Sequence, residues 1–163
     1  MNSLLATRIA ATLSLVAVGL WLGGLLALGA IAAPAVFTIV PLPTSADAMT
    51  VVFRRFDQVA MACGAVVLAS EAGRVAARVR FGLADGIRAG AAVLASLLAV
   101  FEGSYVSPRI AWLHMGGAIR GVGDPGLELS RLHDLAETCG KGEVLLLVVV
   151  VAAYVVALSR PAR

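Results

Sequence analysis

What most constrains this chain is a series of apolar runs long enough to cross the hydrocarbon core of a bilayer. The first, Ile9 to Ala30, is 22 residues without a charge, where about 20 helical residues suffice. Across the whole chain 60% of residues are hydrophobic and 14% charged, against about 45–50% and about 25% in a soluble domain. The expectation is an all-α integral membrane protein. It is read as one domain over residues 1–163, a four-helix bundle with spans at about 7–33, 56–79, 89–107 and 141–159. Residues 34–55 and 108–140 form segments on the outward side, the second a helical extension. Arg8 and the Ala30-Ile31-Ala32-Ala33 stretch imitate a signal peptide, but an apolar core of about 7–15 residues marks a signal, so the first run is read as a retained span.

Charge sets the expected orientation. Arg74, Arg78, Arg80 and Arg88 crowd the connection between the second and third runs, with Asp85 the one acid there. By the positive-inside rule this loop is cytoplasmic, as are Arg8, Arg160 and Arg163, so both termini lie inside, as in a bacterial inner membrane. A formal net charge of +3 is too small, and too closely tied to the ends of the spans, to indicate nucleic acid.

Small residues mark the expected packing faces. Gly19, Gly23, Ala27 and Ala30 share a side of the first helix, and Gly64 lies on the second. On the third, Ala91, Ala95, Ala99 and Gly103 repeat at four-residue spacing, which lets helix backbones approach closely in lipid. Pro34 is expected to end the first helix, since its ring disfavours helical geometry in the residue before it. Residues 34–44, with Pro34, Pro41 and Pro43, then read as an irregular crossing, and a helix starting near Ser45 runs into the second span. Pro108 bends or ends the third helix. A fourth helix from Pro125 to Leu158 would be about 50 Å long; it projects from the membrane or breaks, with Gly140-Lys141-Gly142 as the expected break.

Few polar residues fall within the spans. Trp21 sits mid-helix and needs a partner for its indole N–H, either a backbone carbonyl in a packed core or a ligand. Asp57, Gly64, Glu71 and Arg78 recur every seven residues down one side of the second helix. They form a polar path or two interfacial acids, with Glu71 paired to Arg74 three residues on. Glu102 shares the small face of the third helix, which turns its carboxyl toward other helices. Its expected partner is an arginine, with Arg109 the candidate that ties the bundle to its outward cap and Arg54 or Arg55 as alternatives.

Catalysis has no visible constellation: no phosphate-binding glycine loop, nucleophile elbow, HExxH or CxxC occurs. Cys63 and Cys139 lie on the outward side, where a disulfide or simple packing would suit them. His114, His133, Glu137 and Cys139, with Met49 and Met115, are the weak metal candidates, and sulfur with imidazole would suit copper. The rival reading of His133 and Glu137 is a surface pair one helical turn apart. Haem held by the two histidines is disfavoured because both lie outside the apolar core.

Several landmarks then occur in order. They are Trp21-Leu22-Gly23-Gly24, Ala33-Pro34-Ala35-Val36-Phe37, Phe53-Arg54-Arg55-Phe56, Tyr105-Val106-Ser107-Pro108-Arg109-Ile110 and Arg131-Leu132-His133. The series resembles the transmembrane protein 205-like family and its bacterial relatives, and the Trp-Leu-Gly-Gly element is also similar to copper-resistance D-type membrane proteins. The resemblance implies four membrane helices with an outward extension and brings no established reaction. After His133 the chain departs from the pattern, with Asp134, Glu137 and Gly140 where relatives carry a small polar residue and an Asn. Together these features suggest a non-enzymatic, cofactor-free membrane protein, a scaffold or accessory subunit docking on other membrane subunits or on its own copies. The alternative is transport or tolerance of a metal ion or small solute through Glu102, Glu71 and the His114/His133 region.

Overall fold

A computed structural model describes residues 3–76 and 82–158. The first long helix comprises α1 (Ser3–Leu26), a π-helical stretch Ala27–Ala32 and α2 (Ala33–Ile39). The second is α3 (Thr44–Ala76). The third comprises α4 (Leu83–Phe101), a π-helical stretch Glu102–Val106 and α5 (Ser107–Met115), and the fourth is α6 (Gly123–Leu158). All four are long and apolar enough to cross a membrane, and among the described residues there is no strand. The protein is an all-α integral membrane protein built as a four-helix bundle.

Neither proline ends its helix. A proline ring clashes with the carbonyl four residues back and supplies no N–H. Here the turn before each proline widens instead. Ala33 N–H reaches Leu28 O, and Ser107 N–H reaches Glu102 O, each five residues back. Pro34 and Pro108 then stand in the first turn of α2 and α5, where a missing N–H costs nothing. The expected irregular crossing therefore shrinks to residues 40–43. Gly140-Lys141-Gly142 does not break α6, which runs unbroken from Gly123 to Leu158. Single glycines cost a helix only about 1 kcal/mol each, and packing offsets that here.

The third helix is the spine of the bundle. Ala91, Ala92, Ala95 and Ala99 are buried, and α4 packs most extensively on α6. Gly64 of α3 meets it closely: a Cβ there would stand 3.0 Å from Ser96 Oγ. Gly24 likewise leaves room for the Phe56 ring. Gly103 lies against Met61 and Asp57. Gly64, Ala95, Ala99 and Gly103 thus lie on the sides of their helices that meet other helices. Gly19 and Gly23 differ: both are exposed, with nothing within 4 Å of a built Cβ. α1 instead turns Ser14, Ala17, Val18 and Trp21 inward, which leaves Gly19, Gly23, Ala27 and Ala30 on the outside.

A second apolar cluster, Val106, Ile110 and Leu113 against Leu129 and Leu132, holds α5 to the start of α6 and forms a helical cap. The turn between them folds back on the first turn of α6 and needs glycine at Gly126, where a Cβ would collide with Ile119 O while Gly121 N–H donates to Gly126 O at 2.9 Å.

Candidate functional site

Two polar layers interrupt the apolar interior, and they differ in how well they are satisfied. The first lies at the end opposite the cap. Arg88 of α4 is fully buried, donating Nε to Glu71 Oε1 at 2.7 Å and Nη2 to Glu71 Oε2 at 2.9 Å. Its Nη1 donates to Asp85 Oδ1 at 2.8 Å, and its guanidinium lies 4.7 Å from the Tyr154 ring centroid. Tyr154 OH reaches Glu71 Oε1 at 3.3 Å. Asp85 also accepts from Arg74 at 3.2 Å and from Gly82 N–H at 3.0 Å. Arginine's planar fork suits such two-point carboxylate binding.

This corrects the expected pairing of Glu71. Arg74, three residues along the same helix, goes to Asp85, and Glu71 takes Arg88 from the neighbouring helix. The heptad spacing does place Asp57, Gly64 and Glu71 on the buried side of α3. Arg78, the fourth member of that line, lies outside the described residues, as do Arg80, Arg160 and Arg163.

The second layer sits fourteen residues up α3 from Glu71, about 21 Å along the helix axis. Trp21 is fully buried, and its indole Nε1 donates to Glu143 Oε2 of α6 at 2.9 Å. The expected backbone carbonyl is replaced by a carboxylate, the stronger acceptor. Glu143 is only 2% exposed, and its other oxygen, Oε1, has no partner. Asp57, 8% exposed, lies beside Ser107, and its Oδ2 is also unpartnered. Glu102 lies close enough to both to feel their charges. Cys139 of α6 is the remaining titratable neighbour of Glu102 and Glu143. All four long helices therefore contribute to one interior polar cluster.

Among the described residues, no ion pair reaches Asp57, Glu102 or Glu143. Arg109 does not fold back to Glu102 as expected. It reaches across the cap, donating to Glu128 at 2.7 and 3.0 Å while stacking over Trp112 at 4.4 Å from the ring centroid. The reason is direction: Arg109 lies beyond the π-helical turn on α5, and α6 offers a carboxylate across the gap. Arg54 acts on Asp57 through space without a direct bond.

The weak metal candidates do not converge. His114 and His133 meet edge to face with centroids 5.9 Å apart, and His133 Nδ1 is bonded to Leu129 O at 2.9 Å. Glu137 is engaged by Lys141 at 2.6 Å rather than by His133. Cys139 is buried near Glu102 and Glu143, and among the described residues no group of three His, Cys, Asp or Glu could hold a metal ion. Cys63 and Cys139 are both buried and free, so the disulfide alternative is not realised.

A family described as a domain of unknown function, DUF4149, matches residues 16–118. The chain belongs to that family. The DUF4149 match takes in Trp21, Asp57, Glu71, Arg88 and Glu102, and stops before α6, which supplies Glu143 and Tyr154. No curated protein and no solved structure matches the chain.

Sequence reasoning found Trp21, Asp57 and Glu102 and missed Glu143. The signal for it was present: Glu143 is the one acid in the last apolar run, and a mid-membrane indole requires an acceptor.

Proposed function

We propose that the protein is a non-enzymatic membrane protein that passes a cation or small cationic solute through the interior of its bundle. The observation that carries this reading is the cluster of Asp57, Glu102 and Glu143, three carboxyls from three helices without a paired cation among the described residues. A scaffold requires buried acids to be neutralised, as Glu71 is by Arg88; acids left unanswered inside a bundle mark ion pathways. The donor atoms are oxygens apart from Cys139, so protons and hard cations suit the site better than copper does.

The arginines gathered at the Arg88 end support a cytoplasmic placement of that end in a bacterial inner membrane. In that orientation the acid cluster lies on the outward side and the Glu71–Arg88 knot closes the inward side. The ordered landmarks from Trp21 to His133 support kinship with the transmembrane protein 205-like and copper-resistance D-type proteins as part of the same proposal. The test is flux. Purified protein in liposomes under an imposed ion gradient is expected to conduct above empty liposomes, with the flux lost in Glu102→Gln. Equal flux in protein-containing and empty liposomes overturns the reading.

A second reading has its own observation. The small stripe of Gly19, Gly23, Ala27 and Ala30 is exposed on the outside of the first helix, which supports docking on another membrane subunit or a second copy.

A further inference from the structure

The interior acid layer says more about its ion than that it is a cation. Two of its oxygens, Asp57 Oδ2 and Glu143 Oε1, are buried without any donor, and they come from side chains more than nine-tenths buried on different helices. A carboxylate can only accept hydrogen bonds, so two such orphan oxygens in one interior layer are a costly arrangement. Protonation removes the difficulty. A carboxyl that binds a proton gains an O–H donor, and that donor can satisfy a neighbour's empty oxygen while cancelling one of two like charges.

The surroundings leave little else to answer these charges. Among the described residues the groups facing the layer are Trp21 from α1, Arg54 and Asp57 from α3, Ser107 from α5, and Cys139 and Glu143 from α6. Arg54 is the one cation among them, and it is exposed. The Trp21 N–H, aimed at Glu143 Oε2, takes one acceptor position of that oxygen. Among the described residues no three acids, histidines or cysteines are spaced to hold one. Glu102 is the less buried member and opens a π-helical turn, a local widening often found where a helix serves function.

We propose that Asp57, Glu102 and Glu143 form a shared proton-binding site, with Glu102 as its accessible member. The inference rests on the cation-pathway reading and names the ion. The neighbours hold protons in place by repulsion: ionising one acid raises the cost of ionising the next.

The experiment uses the full chain in lipid vesicles and dicyclohexylcarbodiimide, an apolar reagent that adds to protonated carboxyls in membrane interiors. Modified residues are mapped by mass spectrometry across a pH series. Labelling is expected at Glu102, falling about tenfold per pH unit once the site titrates. Glu71, held by Arg88, is expected to stay unlabelled. Saturating sodium, magnesium or copper ions at fixed pH should leave the yield unchanged. Asp57→Asn and Glu143→Gln each remove one repelling neighbour while keeping a hydrogen-bonding side chain, and each should move the Glu102 profile to lower pH. No labelling at any pH, protection by a metal ion, or a profile unmoved in both variants overturns the proposal. Labelling as expected but without flux keeps the proton site and removes transport. Flux together with protection by one metal ion keeps transport and assigns that ion in place of the proton.

Discussion

Arg88→Met tests whether the buried knot at the Arg88 end is a coupled unit. Arg88 is 0% exposed and makes two bonds to Glu71 and one to Asp85. Removing the guanidinium affects the two acids unequally. Asp85 keeps Arg74 at 3.2 Å and Gly82 N–H at 3.0 Å, whereas among the described residues Glu71 keeps only the Tyr154 hydroxyl at 3.3 Å. The cost is therefore mainly that of stranding Glu71. Breaking a buried pair from one side costs about 3–5 kcal/mol, or about 150- to 4000-fold in the folded-to-unfolded ratio. The double variant Glu71→Gln/Arg88→Met strands no charge at Glu71, and replacing both members of a buried pair is often close to neutral. It should therefore recover at least about 2 kcal/mol relative to the sum of the two single variants, a coupling within the range of contacting residues. Equilibrium unfolding in mixed micelles, titrated with dodecyl sulfate and followed by helical circular dichroism, reads these differences. Additive single variants, or an Arg88→Met cost below about 1 kcal/mol, would refute the coupling.

The two kinds of glycine should respond in opposite ways. Gly64→Leu drives a side chain into Ser96, whose Oγ already stands 3.0 Å from a built Cβ, and should cost about 1–3 kcal/mol of stability in the same titration. Gly19→Leu and Gly23→Leu meet nothing within 4 Å and should leave monomer stability unchanged. If the outer stripe is a docking face, they should instead abolish self-association or partner co-migration in mild detergent. Unchanged association in both variants counts against that face.

What could be read from the sequence divides along a physical line. Periodicity identified the inward faces of α3 and α4, because Asp57, Gly64, Glu71, Ala91, Ala95 and Ala99 are buried by the same 3.6-residue repeat that makes them visible in the chain. It could not assign partners across helices. Arg74 is the nearer cation to Glu71 in sequence, yet the facing helix offers Arg88 with both nitrogens of its fork aligned. The prolines misled for a related reason: the rule that proline stops a helix assumes the turn before it stays α-helical, and here two π-helical turns absorb the ring. The error over α6 had the largest consequence. A break at Gly140-Lys141-Gly142 places Glu143 at the membrane surface, where an acid is unremarkable; the unbroken helix carries it into the core, against Trp21 and within reach of Glu102. The continuity of one helix thus decides whether Asp57 and Glu102 are two separate acids or members of a three-carboxyl site. Because the three acids stand on three different helices, with Trp21 of a fourth bonded to Glu143, a tilt of any acid-bearing helix changes the spacing of the acids, which gives the bundle a means of coupling movement to the protons it holds.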